Sequence, residues 1–396
     1  MHFSFLRAAT PSSRTLISRA FSSSSSAQLR RTPLYALHKE LGAKTTEFGG
    51  WDMPLQYEGV GIKKEHLHCR KAAGLFDVSH MVPMFITGPD RVAFAEKVFP
   101  GDIQGLGEGE GTLSMLCNEK GGLIDDCIVT NVGDKLYVVI NAGHESIDVP
   151  HMQSVLDAFE GDAKLEIVSN PGLIALQGPA AVSVMGRLTD VDYSAFKFMT
   201  GRSMKVAGVD AYVTRSGYTG EDGFEIRTDG QDAEKLARTL LAEEEVAPVG
   251  LGARDSLRLE AGLCLYGNDL DETTTPLEAG LLWCIPKRRR ADKEFVGADV
   301  VVSQIENKSH TRKRAGLVAK GPPPRRGDKV FDMDGNEVGV TTSGVFGPNY
   351  GGPVAMCYIS KKLAKAGTEV QVEIRGKMRK ATTTKMPFVP ANFFRG

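Results

Sequence analysis

Between residues 112 and 141 the chain alternates short β-branched and apolar runs with tight glycine turns. Residues 112–118, 123–131 and 135–141 read as three strands. The turns at 119–122 and 133–134 are short enough to make them an antiparallel meander. Upstream, residues 61–75 are charged and mildly helical, and 75–87 form an apolar, strand-like stretch. Asp90 stands where it can cap a helix running to Phe99. Downstream, 173–177 is a short apolar strand stopped by Gly178-Pro179, with a helix starting near Ala180. Residues 209–227 read as a hairpin bent at 218–223. Residues 232–245 and 254–263 are helical, the second with Leu257 and Ala261 on one stripe. A Gly-, Pro- and Arg-rich segment, 321–327, lies near a boundary. Beyond it the chain is nearly all short strands, as expected of a small barrel or sandwich.

Composition adds exclusions. With 396 residues the chain has room for two or three domains, and 48 Lys+Arg against 49 Asp+Glu leaves a net charge of -1. That balance speaks against a nucleic-acid partner, which needs a strongly basic face. No apolar run approaches the ~18 residues of a membrane-spanning helix, so no membrane partner is expected. The first 39 residues contain no Asp or Glu but hold Arg7, Arg14, Arg19, Arg30, Arg31 and the serine run 22–26. An arginine- and serine-rich, acid-poor leader has the composition of a mitochondrial transit peptide, a disordered basic tail being the plainer alternative, so residues 1–30 are set apart from the fold and a matrix location is expected. The six cysteines are scattered without a C-x-x-C pair, as befits buried thiols in a reducing compartment.

The usual cofactor signatures are missing. There is no P-loop, no dinucleotide fingerprint, no G-x-S-x-G and no H-E-x-x-H. His66 and His68, two apart on a helix, point to different faces, so no metal is expected.

Four polar features stand out. Asp125 and Asp126 fall in the middle of the second meander strand, where aspartate is depleted and successive residues face opposite sides. One of them must therefore face a packed surface or a cavity, serving either as a structural hydrogen-bonding carboxylate or as a functional one. Arg254 sits at the start of a helix, where the dipole disfavours a cation; a surface ion pair with Asp255 or Glu260 is the plainer explanation. Glu225 alternates with Phe224 and Ile226 in a strand. Lys287, Arg288, Arg289 and Arg290 form a cationic run, either a solvated face or a dock for an acidic partner.

Read in order, several segments resemble the glycine cleavage T-protein family of aminomethyltransferases. They are Thr32-Pro33-Leu34-Tyr35, Gly50-Trp51, Leu75-Phe76-Asp77-Val78-Ser79-His80-Met81, Gly121-Gly122-Leu123-Ile124-Asp125-Asp126, the run from Gly217 to Gly223, that from Gly252 to Gly262, and Lys385-Met386-Pro387-Phe388-Val389-Pro390. The resemblance implies an α+β, three-domain cloverleaf of antiparallel sheets flanked by helices, with a C-terminal β-barrel or jelly-roll-like domain. Residues 31–310 would form the two folate-binding subdomains and 311–396 the barrel. It implies transfer of a one-carbon unit from the aminomethyl-lipoyl H protein to tetrahydrofolate as co-substrate. The products would be 5,10-methylenetetrahydrofolate, ammonia and dihydrolipoyl H protein. By the same resemblance Asp126 is the essential carboxylate, and Met81, Leu113, Val139, Asn141, Tyr218, Glu225, Arg254 and Trp283 line the folate pocket. The family commonly carries a tyrosine pair where this chain has Phe393-Phe394, so Phe393 is carried over as a packing contact only. A folate-dependent demethylase and a non-catalytic iron–sulfur assembly factor of the same fold are the alternatives.

Overall fold

The computed structural model describes residues 28–396; residues 1–27 of the expected leader lie outside it. In chain order the strands are β1 (Ala43–Phe48), β2 (Trp51–Tyr57), β3 (Ala73–Asp77), β4 (Val82–Thr87), β5 (Gly111–Cys117), β6 (Leu123–Asn131), β7 (Leu136–Ile140), β8 (Lys164–Ile167), β9 (Pro171–Gln177), β10 (Gly201–Val206), β11 (Val209–Thr214), β12 (Gly223–Asp229) and β13 (Val246–Pro248). The C-terminal strands are β14 (Arg312–Ala319), β15 (Lys329–Phe331), β16 (Glu337–Gly347), β17 (Gly352–Ser360), β18 (Glu369–Ile374) and β19 (Lys377–Thr384). They assemble into a β1-β2 hairpin, a six-stranded sheet in the order β10-β11-β12-β9-β3-β13, a five-stranded sheet in the order β5-β6-β7-β4-β8, and a closed barrel β14-β17-β16-β15-β18-β19. Pairing is antiparallel throughout except for β13 against β3.

Each of the two open sheets buries one face under its own helices. On the six-stranded sheet, Leu75, Ile174, Leu176, Val213, Phe224 and Ile226 pack against Val184 and Met185 of the helix Ala181–Leu188 and against Leu236 and Leu240 of the helix Gly230–Leu241. On the five-stranded sheet, Leu116, Cys127, Val129 and Val138 pack against Phe94 and Val98 of the helix Arg91–Val98 and Met152 of the helix Glu145–Asp157. Each fully buried Leu, Ile or Phe contributes about 1.5–3 kcal/mol, so these two layers carry much of the folding free energy. The opposite faces turn toward one another. Val139 of β7 packs on a cluster that joins Phe76, Leu173 and Ala175 to Ala253 and Leu257 of the helix Leu251–Glu260.

The expected meander is present as β5-β6-β7, with β6 unchanged and the ends of β5 and β7 moved by one residue. Three expectations need correction. The stretch 75–87 is two strands in two sheets: β3 pairs with β9, and β4 with β7 and β8. Both halves are apolar because both are buried, so hydropathy gives no sign of the switch; it occurs where the Asp77 carboxylate accepts from Thr32 Oγ1 at 2.6 Å and from Ser79 N at 2.9 Å. The segment 321–327 is not a boundary. It is a loop inside the barrel joining β14 to β15, anchored where Arg325 Nη1 donates to the Gly344 carbonyl at 3.0 Å. Asp90 precedes its helix but does not cap it, since its carboxylate accepts from Asp162 N at 2.8 Å instead.

The barrel is tied to the rest of the chain by a buried ion pair. Arg258 Nη1 donates to Asp269 Oδ2 at 2.7 Å, and both side chains are sealed from solvent. Asp269 also accepts from Ser343 Oγ at 2.9 Å and from Thr342, both on β16, while Tyr358 of β17 donates to its backbone carbonyl at 2.7 Å.

Candidate active site

Strand β6 starts after a turn that only glycine can make. Gly121 has φ of +76°, and a Cβ on Gly122 would collide with the carbonyl oxygen of Glu272. Leu123 N also donates to the Asp271 and Thr274 carbonyls, which pins the register of everything after it. From there alternation decides the outcome for the aspartate pair. Leu123, Asp125, Cys127 and Val129 are buried, whereas Asp126 and Ile128 keep part of their surface. Asp125 thus lies on the helix-covered side and Asp126 on the side facing the other sheet.

Register gathers the expected neighbours around Asp126. Leu113 pairs with Ile128, which pairs with Val139, giving an apolar row across β5-β6-β7. Asn141 follows β7 and bridges the two aspartates. Its Nδ2 donates to Asp125 Oδ1 at 2.8 Å, to the Asp126 carbonyl at 3.1 Å and to Asp126 Oδ1 at 3.3 Å. Burial, reinforced by the Asp125 charge, pushes the Asp126 carboxyl up to about 7, with the Asn141 amide pulling the other way.

The facing sheet supplies the opposite wall. The register row Phe76–Ala175–Glu225–Thr214 runs across β3, β9, β12 and β11. Ile128 and Val139 share a small enclosed gap with Leu173, Tyr212, Thr214 and Glu225. Glu225 accepts from Ser216 Oγ at 3.2 Å, and burial raises its carboxyl, opposed first by the charge of Arg254. Arg254 is the fourth residue of its helix. Its guanidinium lies 4.8 Å from the Tyr218 ring centroid, and its Nη1 is buried with no acceptor. The surface ion pair is ruled out, because Asp255 pairs with Arg258, and Glu260 with Arg70 and His66. Tyr218 donates to the Cys264 carbonyl and feels the charges of both Arg254 and Asp126. Met81 packs on the same inner cluster as Val139. Beside it His80 is buried, and burial pushes its imidazole down to about 4, so it is neutral near pH 7.

Met81, Leu113, Asp126, Val139, Asn141, Tyr218, Glu225 and Arg254 are therefore half-buried residues around one inter-sheet region, with Asp126 and Asn141 beside apolar Leu113 and Val139 on the meander side and Glu225 on the facing sheet, near Arg254. Two further expected residues have other surroundings. Trp283 is 64% exposed, on a short 3-10 turn beside β5. Phe393 stacks on Phe198 with centroids 4.1 Å apart. Ile128 escaped the sequence reading, although its place two residues after Asp126 puts it on the same face. A larger groove of about 750 Å³, lined by Asp90, Lys97, Phe159 and Phe295 among others, lies elsewhere, with the exposed Lys97–Glu294 pair in its wall.

The cationic run is mostly structural. Arg289 is 1% exposed and donates to Asp292 Oδ1 at 2.7 Å and to the carbonyls of Glu96, Phe99 and Gly101. Arg290 donates to the Ile285 carbonyl at 2.6 Å, and Arg288 is paired with Glu96, Asp102 and Asp292. The expectation of a four-residue docking face is corrected accordingly: the arginines fold back onto carboxylates and carbonyls of their own chain, and of the four only Lys287 is exposed with no ion-pair partner among the described residues.

Comparison with known proteins places the chain in a family. Residues 34–289 match the GCVT N-terminal domain family and residues 312–390 the glycine cleavage T-protein C-terminal barrel domain family. Mitochondrial aminomethyltransferase of Dictyostelium discoideum is 47% identical over 93% of this chain and 95% of its own, and that of Gallus gallus is 46% identical over 96% and 98%. The crystal structure of glycine cleavage system aminomethyltransferase T from Bartonella henselae superposes with a TM-score of 0.87, at 42% identity over 93% of this chain and all of its own. With both families matched in order on a fold of two facing sheets and a closed barrel, the chain belongs to the glycine cleavage T-protein family.

Proposed function

We propose that this chain is the aminomethyltransferase of the glycine cleavage system. It moves the one-carbon unit of an aminomethyl-lipoyl H protein onto tetrahydrofolate, in the mitochondrial matrix. Family membership and the acid-free, arginine-rich leader support that reading. The observation that carries it is Asp126, a half-buried carboxyl that titrates near neutrality, set two residues from the apolar Leu113–Ile128–Val139 row and on the strand face turned to the sheet of Glu225.

The chemistry asks little beyond positioning. On the donor, the nitrogen lone pair expels the lipoyl sulfur and leaves an iminium carbon. Folate N5 adds to that carbon. Closure by N10 then releases ammonia, and the N10 proton leaves. Holding nucleophile and carbon together is worth about 7–11 kcal/mol of barrier. Leu113, Ile128, Val139 and Met81 supply apolar surface for a pteridine ring. Glu225 accepts from its amino and ring N–H groups, and Asn141 reads the same edge. Arg254 keeps a cation beside Glu225, offsetting the burial cost of that carboxylate. Asp126 accepts a hydrogen bond in the N5/N10 region, and its charge stabilises the iminium. The N10 proton has an acceptor there too, since a carboxyl titrating near neutrality exchanges protons readily.

Incubating the protein with tetrahydrofolate and aminomethyl-loaded H protein tests this. Ammonia and methylenetetrahydrofolate should form one for one; folded protein that yields neither would refute it. Partner docking gives a smaller effect. Lys287→Glu raises the KM for H protein by about two- to fivefold at low ionic strength, and the difference closes as salt screens it. A KM that does not move removes Lys287 from the docking surface.

A further inference from the structure

We propose that Ser216 is a positioning residue: its hydroxyl, itself held by Thr214, aims the Glu225 carboxylate at the N–H groups of the pteridine and so sets specificity for the amino-bearing edge of the folate. This rests on the folate pocket assigned above. Thr214 and Glu225 are register partners on β11 and β12, and Ser216 follows two residues after the end of β11. Ser216 Oγ lies 3.2 Å from Glu225 Oε2 and 2.8 Å from Thr214 Oγ1. Thr214 and Ser216 are both buried, and among the described residues Ser216 is the only hydrogen-bond donor to the Glu225 carboxylate. The backbone around Ser216 is clamped. Gln177 Nε2 donates to the Ser216 carbonyl at 2.9 Å, Gln177 Oε1 accepts from Thr219 Oγ1 at 3.0 Å, and a Cβ on Gly217 would collide with the Gln177 amide. Next to it, Arg215 N donates to the Thr200 carbonyl, and the Arg215 carbonyl accepts from Met199 N, each at 2.8 Å.

The hydroxyls can be ordered in one sense only. An ionised carboxylate accepts and cannot donate, so the single Ser216 proton points to Glu225. Thr214 must then donate to Ser216 Oγ. Its other acceptor in reach, the Glu225 carbonyl, lies at 3.5 Å, too long to compete with a contact of 2.8 Å. Hydrogen bonds in series polarise one another, so the Thr214 contact strengthens the one that Ser216 makes. Burial raises the Glu225 carboxyl, and the charge of Arg254 and the Ser216 hydrogen bond both oppose that, keeping it an acceptor. One carboxylate oxygen is thereby fixed. The other accepts from no described residue and is left for the amino and ring N–H groups of the ligand. Thr214 and Glu225 also share the small gap with Ile128 and Val139, so the relay ends at the apolar row on which the pteridine packs.

The test measures Kd for tetrahydrofolate by calorimetry, and KM and kcat with aminomethyl-loaded H protein. Ser216→Ala raises Kd and KM for tetrahydrofolate about tenfold, the scale of one hydrogen bond to a charged group, while kcat stays within about threefold. Thr214→Val raises both about threefold, and Thr214→Ser, which keeps the hydroxyl, restores the wild-type values. Two readouts separate aiming from packing. With an analogue of tetrahydrofolate that carries a methyl in place of the pteridine amino group, Ser216→Ala weakens binding by about threefold or less. In a Glu225→Ala background, Ser216→Ala changes Kd no further, because the group it acts through is gone. Thr214→Val gives the same comparison between the two folates if Ser216→Ala does not fold. An equal loss for both folates, or full additivity with Glu225→Ala, overturns the proposal. So does an unchanged Kd in Ser216→Ala when Glu225→Ala weakens binding. If Glu225→Ala itself leaves the affinity for tetrahydrofolate unchanged, the pocket assignment falls, and the proposal with it.

Discussion

Replacing Asp126 by asparagine lowers turnover by about 10²-fold or more, the scale for losing one well-placed electrostatic group. Shape and the contact with the Asn141 amide survive, because the carboxamide oxygen still accepts; what goes is the charge. Wild-type turnover should fall on the acid side with a midpoint near 7, where the Asp126 carboxyl takes up its proton, and the variant should lack that limb. Stability moves the other way. Burial and Asp125 raise this carboxyl above its unfolded value. Between about pH 4 and 7 the folded state then binds more protons than the unfolded one, so wild-type stability falls as pH rises through that window and stays reduced above it. Asp126→Asn escapes this and should be more stable than wild type near pH 8 by roughly 1–3 kcal/mol. A variant inactive yet harder to melt separates a role in the reaction from a role in folding. If Asp125→Asn abolishes turnover and Asp126→Asn does not, the two aspartates have been given each other's role.

The largest stability effect belongs to a residue remote from that chemistry. Asp269→Ala should cost about 3–5 kcal/mol, the usual penalty for leaving a buried cation without its partner. Arg258 is 1% exposed and would keep its charge among Leu263, Ser343 and Asp255, the last 44% exposed. Thr342 and Ser343 would lose their acceptor in the same step, so the seam between barrel and body loosens with the ion pair. Denaturant unfolding checks this. A fall below about 1 kcal/mol would mean that water enters and solvates Arg258, and that the seam is softer than its burial implies.

How much of this was legible beforehand depended on how local each signal is. The β5-β6-β7 meander follows from runs and turns a few residues long, so its strands could be read to within a residue at each end. Alternation required one of Asp125 and Asp126 to face inward but could not choose between them, since both sides of the strand are packed. The choice needs the helix Glu145–Asp157 on one side and Glu225 with Arg254 on the other, up to some 130 residues away. Distance hides Glu96, Asp102 and the Phe99 and Gly101 carbonyls that hold Arg288 and Arg289 in the same way, whereas Asp292 and the Ile285 carbonyl that takes Arg290 lie close in sequence. Asp148 went unremarked because an acidic residue in a first helical turn is ordinary; only its full burial makes it unusual. The Gly-, Pro- and Arg-rich loop at 321–327 has the composition of a linker because barrel loops and linkers need the same backbone freedom.

A crystal structure with a tetrahydrofolate bound tests the central claim most directly. The pteridine should lie between the Leu113–Ile128–Val139 row and the Glu225–Arg254 side, with its N5/N10 edge within hydrogen-bond reach of an Asp126 oxygen. A folate held in the groove beside Phe159 and Phe295, or one that leaves Asp126 in contact only with water, would contradict it.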